Sequence, residues 1–300
     1  MDTKKIITHI ATFSPLSPGF TYMTLSAVSF CFMSVFVKLA GHSLPTIQIV
    51  FVRGIVTLAF TVLLLIREKI SPFGNHKKLL IARGITGTIA LFLVYESIKR
   101  FPLSEATVIQ YLFPIFTALI AAFIISESLN KNILGAILLG LFGVYAILGF
   151  PFLMGYAEID LNSILIAITG SFLTGLAYVL VRQSTKLDEH PLVVMFYFPL
   201  FTVPFCFPFL FSYWIKPSLN EWAFLLLVGI CTQLGQFFLT HGYKELPAAK
   251  AAPLSYIQVP LAMVMGIIFF EEVIDLNFII GSALVFTSIF LVMSKKAELK

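Results

Sequence analysis

Charge is scarce in this 300-residue chain: Asp, Glu, Lys and Arg together make up 12% of it, against about a quarter of a soluble domain. No ordinary water-facing surface can be assembled from so few charges. Cysteine is rarer still. Cys31, Cys206 and Cys231 each sit inside an apolar run with no CxxC spacing, so they read as small hydrophobes rather than disulfide partners or metal ligands. The chain has no Walker A loop, no HExxH, no paired acidic DDxxD cluster and no GxSxG elbow, and so lacks the parts of an ATP-driven pump or a hydrolase. No metal and no cofactor is expected. Residues 1 to 19 hold Lys4 and Lys5 but no continuous apolar core, so a retained first span is expected rather than a cleaved signal peptide.

Apolar residues take the place of the missing charge. They make up 59% of the chain, 32 of them Phe, and the mean hydropathy is +0.97. A membrane span needs about 20 mostly apolar residues. Ten such runs are present: 20–40, 46–66, 80–99, 105–126, 132–150, 162–181, 191–213, 221–241, 249–270 and 276–294. The connections are short, and none is long enough for a soluble domain. Lys and Arg in the connections set the orientation, because cytoplasmic loops carry the excess. With the N-terminus inside, fifteen fall on the cytoplasmic side, including Arg67, Lys69, Lys77, Lys78, Arg83 and Lys186. Four (Lys38, Lys99, Arg100 and Lys216) fall on the other side, and Arg53 lies within a span. The acidic Glu158, Asp160, Glu271, Glu272 and Asp275 fall outside. Both termini are therefore expected in the cytoplasm of an inner-membrane protein.

The chain also repeats. Lys99, Pro102, Pro114 and Gly135 recur as Lys244, Pro247, Pro260 and Gly281, each pair 145 or 146 residues apart. The expected fold is an all-α membrane protein of ten transmembrane helices in two five-helix halves, 20–150 and 162–294. An odd number of spans per half inverts one half relative to the other, and two inverted halves can rock about a shared interface.

Several residues within the spans are candidates for chemistry. Pro114 and Pro260 are expected to kink the fourth and ninth spans and to free the carbonyls of Gln110 and Tyr256 at depth. Such carbonyls must face protein or a water-filled cavity. Arg53 needs a partner or an anionic ligand, since a buried guanidinium costs at least about 3 kcal/mol. Glu96 is its nearest partner by depth, and snorkelling to the headgroups is the other way out. Gln233 and Gln236 share one helix face, where they either line a cavity or bond neighbouring helices. Glu127 and Glu272, at the ends of their spans, are expected to cap or clamp the following helices. The small residues Ala136, Gly140 and Gly143, and Ser171 with Gly175, mark close helix packing.

The segments from Arg83 to Glu127 and from Tyr243 to Glu272, each followed by a Gly-led span, resemble the EamA family of the drug/metabolite transporter superfamily. The resemblance extends over essentially the whole chain. PLSEATVI in the first segment and VVMFYF, Val193 to Phe198, are most similar to the branch that holds S-adenosylmethionine uptake carriers and the mammalian solute carrier 35 G group. One departure is the Pro-to-Glu spacing, 13 residues in the first half and 12 in the second. The resemblance implies secondary transport by alternating access through a central cavity. It puts the cavity lining on Arg53, Tyr95, Gln110, Tyr111, Gln233, Gln236 and Tyr256.

The expected function is transport of a small polar organic metabolite, S-adenosylmethionine or an amino-acid-like solute. A drug or amino-acid exporter of the same fold is the alternative, and an integral-membrane lipid-modifying enzyme a further one. Import and export look alike in sequence because such a carrier runs with whichever gradient exists. No Asp or Glu stands at mid-membrane depth to serve as a proton site, which favours exchange or facilitated flux. The expected partners are the solute and membrane lipid, with no nucleic acid, and nothing in the sequence sets an oligomeric state.

Overall fold

A computed structural model describes residues 17–100, 103–150, 153, 160–271 and 276–294. Pro102, Glu158, Glu272, Asp275 and the terminal Lys4, Lys5, Lys295, Lys296 and Lys300 lie outside the described residues. The described residues form helices and connections, with no strand among them. The helices are α1 (Pro18–Ala40), α2 (Thr46–Arg67), α3 (Lys77–Arg100), α4 (Leu103–Gln110), α5 (Phe113–Ile124) and α6 (Lys131–Ile147). They continue with α7 (Leu161–Lys186), α8 (Pro191–Tyr213), α9 (Leu219–Glu245), α10 (Ala248–Leu254), α11 (Gln258–Phe270) and α12 (Leu276–Ser294). Eight helical stretches are long and apolar enough to cross a membrane, while Lys131–Ile147 and Leu276–Val292 are apolar but shorter.

Local chemistry sets where the helices begin. Pro18 and Pro191 occupy first-turn positions, where the missing N–H removes no helical bond. Ser218 and Glu221 form a capping box at the start of α9, and Asn130 caps α6 through the N–H of Asn132. At α7 the backbone N–H of Asn162, followed by Ser163, holds the Asp160 carboxyl below its ordinary pKa.

The radial pattern is that of a protein in lipid. Phe123, Phe211 and Phe290 point outward, 86%, 81% and 70% exposed, whereas Gln48, Arg53, Thr61, Arg83 and Thr117 are buried. Helices from the two ends of the sequence interleave. α1 packs on α9, α3 on α7, α2 on α8 and α9, α3 on α8, α5 on α7, α11 on α1, and α6 on α12.

Two small-residue positions show why those contacts are close. A Cβ on Gly143 would stand 2.8 Å from the Gly281 carbonyl oxygen, so α6 and α12 touch backbone to backbone. One on Gly175 would stand 2.9 Å from the Thr117 nitrogen, where α7 meets α5. Ser288 adds a hydrogen bond to the Ala136 carbonyl at 2.6 Å.

The prolines break their helices outright. The fourth stretch splits at Tyr111 and Leu112, between α4 and α5, and the ninth passes through a 3-10 turn, Ser255–Ile257, between α10 and α11. The Gln110 carbonyl faces protein: Ser171 Oγ on α7 donates to it at 3.0 Å.

Candidate functional site

A cleft lies between α2, α8 and α9. α2 contributes Arg53, Gly54 and Thr57, α8 contributes Met195, Phe198, Pro199 and Thr202, and α9 contributes Thr232, Gln233 and Gln236. Thr57, Thr202 and Thr232 donate their hydroxyl protons to carbonyls of their own helices, which leaves acceptor lone pairs on each. About 10 Å³ of the cleft is open to the centre of a water molecule, room for roughly one water. It is narrow around its polar groups.

Arg53 is 7% exposed, and its one polar contact among the described residues is Nη1 to the Met33 sulfur at 4.0 Å. The pairing with Glu96 does not form, because Glu96 holds Arg100 one turn away at 2.9 Å. Both of those side chains are on the surface, where i,i+4 geometry brings them together at little cost. The guanidinium of Arg53 is thus buried opposite no carboxylate among the described residues. Gln233 bonds α2 through Thr61 Oγ1 at 3.0 Å, so its amide joins helices while also lining the cleft. Gln236 lines the cleft, and its amide makes no hydrogen bond among the described residues.

The other residues expected at a cavity are elsewhere. Gln110 donates to Thr174 Oγ1 at 3.4 Å. Tyr256 is fully buried, packs over Gly140 and donates to the Tyr111 carbonyl at 3.3 Å. Tyr111 and Tyr256, 145 positions apart, meet with their rings tilted by 39° and centroids 5.9 Å apart. Tyr95 is partly buried on α3 and does not line the cleft.

Polar contacts tie both ends of the molecule. At one end Gln48 donates from Nε2 to the Ile215 carbonyl at 2.7 Å and accepts from the Ile215 N–H at 3.0 Å, and Ser43 bonds Glu221. At the other end Glu189 Oε1 accepts from the backbone N–H of Asn75 at 2.7 Å and of His76. Beside it, Glu127 accepts from Arg182 Nε at 2.8 Å and from the Ala248 N–H at 2.6 Å. Arg182 also donates to the carbonyls of Tyr243 and Lys244. Glu127 was expected to clamp the helix that follows it. It clamps α7 and α10 instead, since Asn130 already caps α6.

Arg83, one of the cytoplasmic-side cations, is a second buried charge. Arg83 on α3 is 3% exposed, its guanidinium carbon lies 4.9 Å from the centre of the Phe198 ring, and its Nε and one Nη have no hydrogen-bond partner among the described residues. The signal was its depth. α3 starts at Lys77, which puts Arg83 about 9 Å into the helix at 1.5 Å per residue.

Comparison with known proteins agrees with this architecture. Residues 17–149 and 161–294 match the EamA-like transporter family. The chain is 27% identical to the pseudopaline exporter CntI of Pseudomonas aeruginosa, over 90% of this chain and 94% of that protein. It is 25% identical to the S-adenosylmethionine uptake transporter of Rickettsia prowazekii over 94% of each, and 27% identical to solute carrier family 35 member G1 of Mus musculus over 85% of this chain and 72% of that one. A solved crystal structure superposes with a TM-score of 0.82 at 18% identity, over 93% of this chain and 97% of that chain, a likeness of fold. These relatives carry the names of transporters and not of enzymes, so the lipid-modifying enzyme falls away. The molecule is a multi-pass membrane transporter.

Proposed function

Because the chain belongs to the EamA-like transporter family, we propose that it is a ten-helix secondary transporter of the inner membrane, with both termini cytoplasmic. It moves a small polar organic metabolite by alternating access between two inverted five-helix halves, 20–150 and 162–294. The packing pattern supports the inverted halves. Exchanging them turns the α1–α9 contact into α7–α3, α2–α9 into α8–α3, and α5–α7 into α11–α1, while α2–α8 and α6–α12 map onto themselves, and all these pairs are packed. Polar contacts that tie the helices at both ends of the molecule, with a narrow cleft between the halves, fit an intermediate of such a cycle.

The observation that carries the binding proposal is Arg53, buried between the halves with no carboxylate opposite it among the described residues. It holds a carboxylate of the substrate, and the free amide of Gln236 hydrogen-bonds beside it. Uptake of S-adenosylmethionine, named for the Rickettsia relative, and of amino-acid-like solutes is tested first. Counterflow of labelled S-adenosylmethionine into preloaded proteoliposomes, with amino acids as competitors, should exceed that of empty liposomes. Arg53→Ala should abolish it at unchanged yield of folded protein; equal loss of folded protein would show that Arg53 is structural. The Pseudomonas relative is named an exporter, and the same cycle runs outward on an opposite gradient. Overexpression that raises the inhibitory concentration of a toxic solute would identify that direction.

A further inference from the structure

Arg53 is not the only buried cation near the cleft. Arg83 is the more enclosed of the two at 3% exposure, and two of its guanidinium nitrogens have no hydrogen-bond partner among the described residues. Its plane is covered by Phe198, whose ring also lines the cleft beside Arg53. Tyr178 on α7 lies within electrostatic reach of both arginines. No acidic side chain among the described residues lines the cleft. A cation–π contact offsets only part of the hydration that a guanidinium gives up on burial, so Arg83 keeps unused donors.

The depths of the two are complementary. Arg53 is seven residues into α2 and Arg83 six into α3, and these successive helices run in opposite directions. At 1.5 Å per residue they stand about 10 and about 9 Å from opposite faces of the membrane. Across a hydrocarbon core about 30 Å thick, that leaves about 10 Å between them along the normal, before side-chain reach is counted.

We propose that Arg83 is a second anion subsite and that the substrate carries two anionic groups, one for each guanidinium. This inference rests on the carrier reading above. In the closed state Phe198 occupies the face of Arg83, and its displacement exposes the unused N–H donors. A substrate with one anionic group leaves one guanidinium buried and unpaired, and a solute with none leaves both. With Arg83 uncovered beside the cleft that Arg53 lines, the site selects dicarboxylates over monocarboxylates, and both over solutes with no anionic group.

The test compares butyrate with glutarate, which adds a second carboxylate, as stabilisers of the full-length protein melted in detergent at constant ionic strength. Glutarate should protect the native protein at a concentration about tenfold or more below butyrate, the scale of one added charge-assisted hydrogen bond. Arg83→Gln should erase that preference and leave butyrate protection in place, while Arg53→Gln removes protection by either. A preference that survives Arg83→Gln overturns the subsite. Should that variant not fold, Phe198→Leu should widen the preference by uncovering Arg83, and an unchanged ratio overturns the proposal. Counterflow of cationic S-adenosylmethionine with no response to glutarate overturns the dianion and leaves the carrier standing. Protection by glutarate with no counterflow of any solute upholds the subsite and overturns the carrier.

Discussion

Glu127 uses both of its carboxylate oxygens on the other half of the chain, one for Arg182 and one for the Ala248 N–H. The pair is largely buried, with side-chain exposures of 14% for Arg182 and 8% for Glu127. Removing one member of such a pair costs about 3 kcal/mol or more, because the other charge is left behind in a poor solvent. Glu127→Ala should therefore lower the melting temperature in detergent, and adding Arg182→Ala should cost much less than Arg182→Ala alone. Simple addition of the two losses would show that the residues act independently. Partnerships of this kind were out of reach from sequence. Arg53 was legible, a lone charge in an apolar run, but the residues it would meet were not. Arg83 was hidden because a Lys or Arg near a span end adds to a topology tally in the same way whether it lies in the loop or two turns inside.

Contacts between elements depend on how near two backbones can come. The α6–α12 contact leaves no space for a side chain at Gly143. Gly143→Leu should destabilise the protein by about 2 kcal/mol through overpacking. Gly135→Ala, eight residues earlier on the same helix and with nothing within 4 Å of its added Cβ, should be neutral or slightly stabilising. Thermal melts of both variants check this, and similar losses in the two would refute the packing account. The positions of the helices were readable beforehand because a span must be apolar along its whole length, and the ten runs coincide with helical segments of the described residues. The severity of the proline breaks was not, since propensity says that a hydrogen bond is lost but not which neighbour replaces it. Ser171, on a helix 61 positions away, takes that role for Gln110.

At the scale of the whole molecule, orientation and cycle can be tested separately. Lys77→Cys and Lys216→Cys should react with an impermeant maleimide from opposite sides of the membrane, in a background where Cys31 and Cys206 are buried. Labelling from one side would rule out the inverted arrangement. The unpaired arginines also bear on electrical behaviour. An empty carrier has to pass through its sealed form with buried positive charge uncompensated, whereas a loaded one passes through with that charge neutralised by its cargo. On the proposed cycle the return of the empty form is the slow, voltage-sensitive step, since charge moving through the membrane field couples at about 2.3 kcal/mol per elementary charge for each 100 mV. Substrate on the far side should accelerate efflux, and that exchange flux should change little with membrane potential while net flux changes strongly. Radiotracer flux in vesicles clamped with potassium and valinomycin measures both, and equal voltage dependence of the two would show that the arginines do not carry charge through the field.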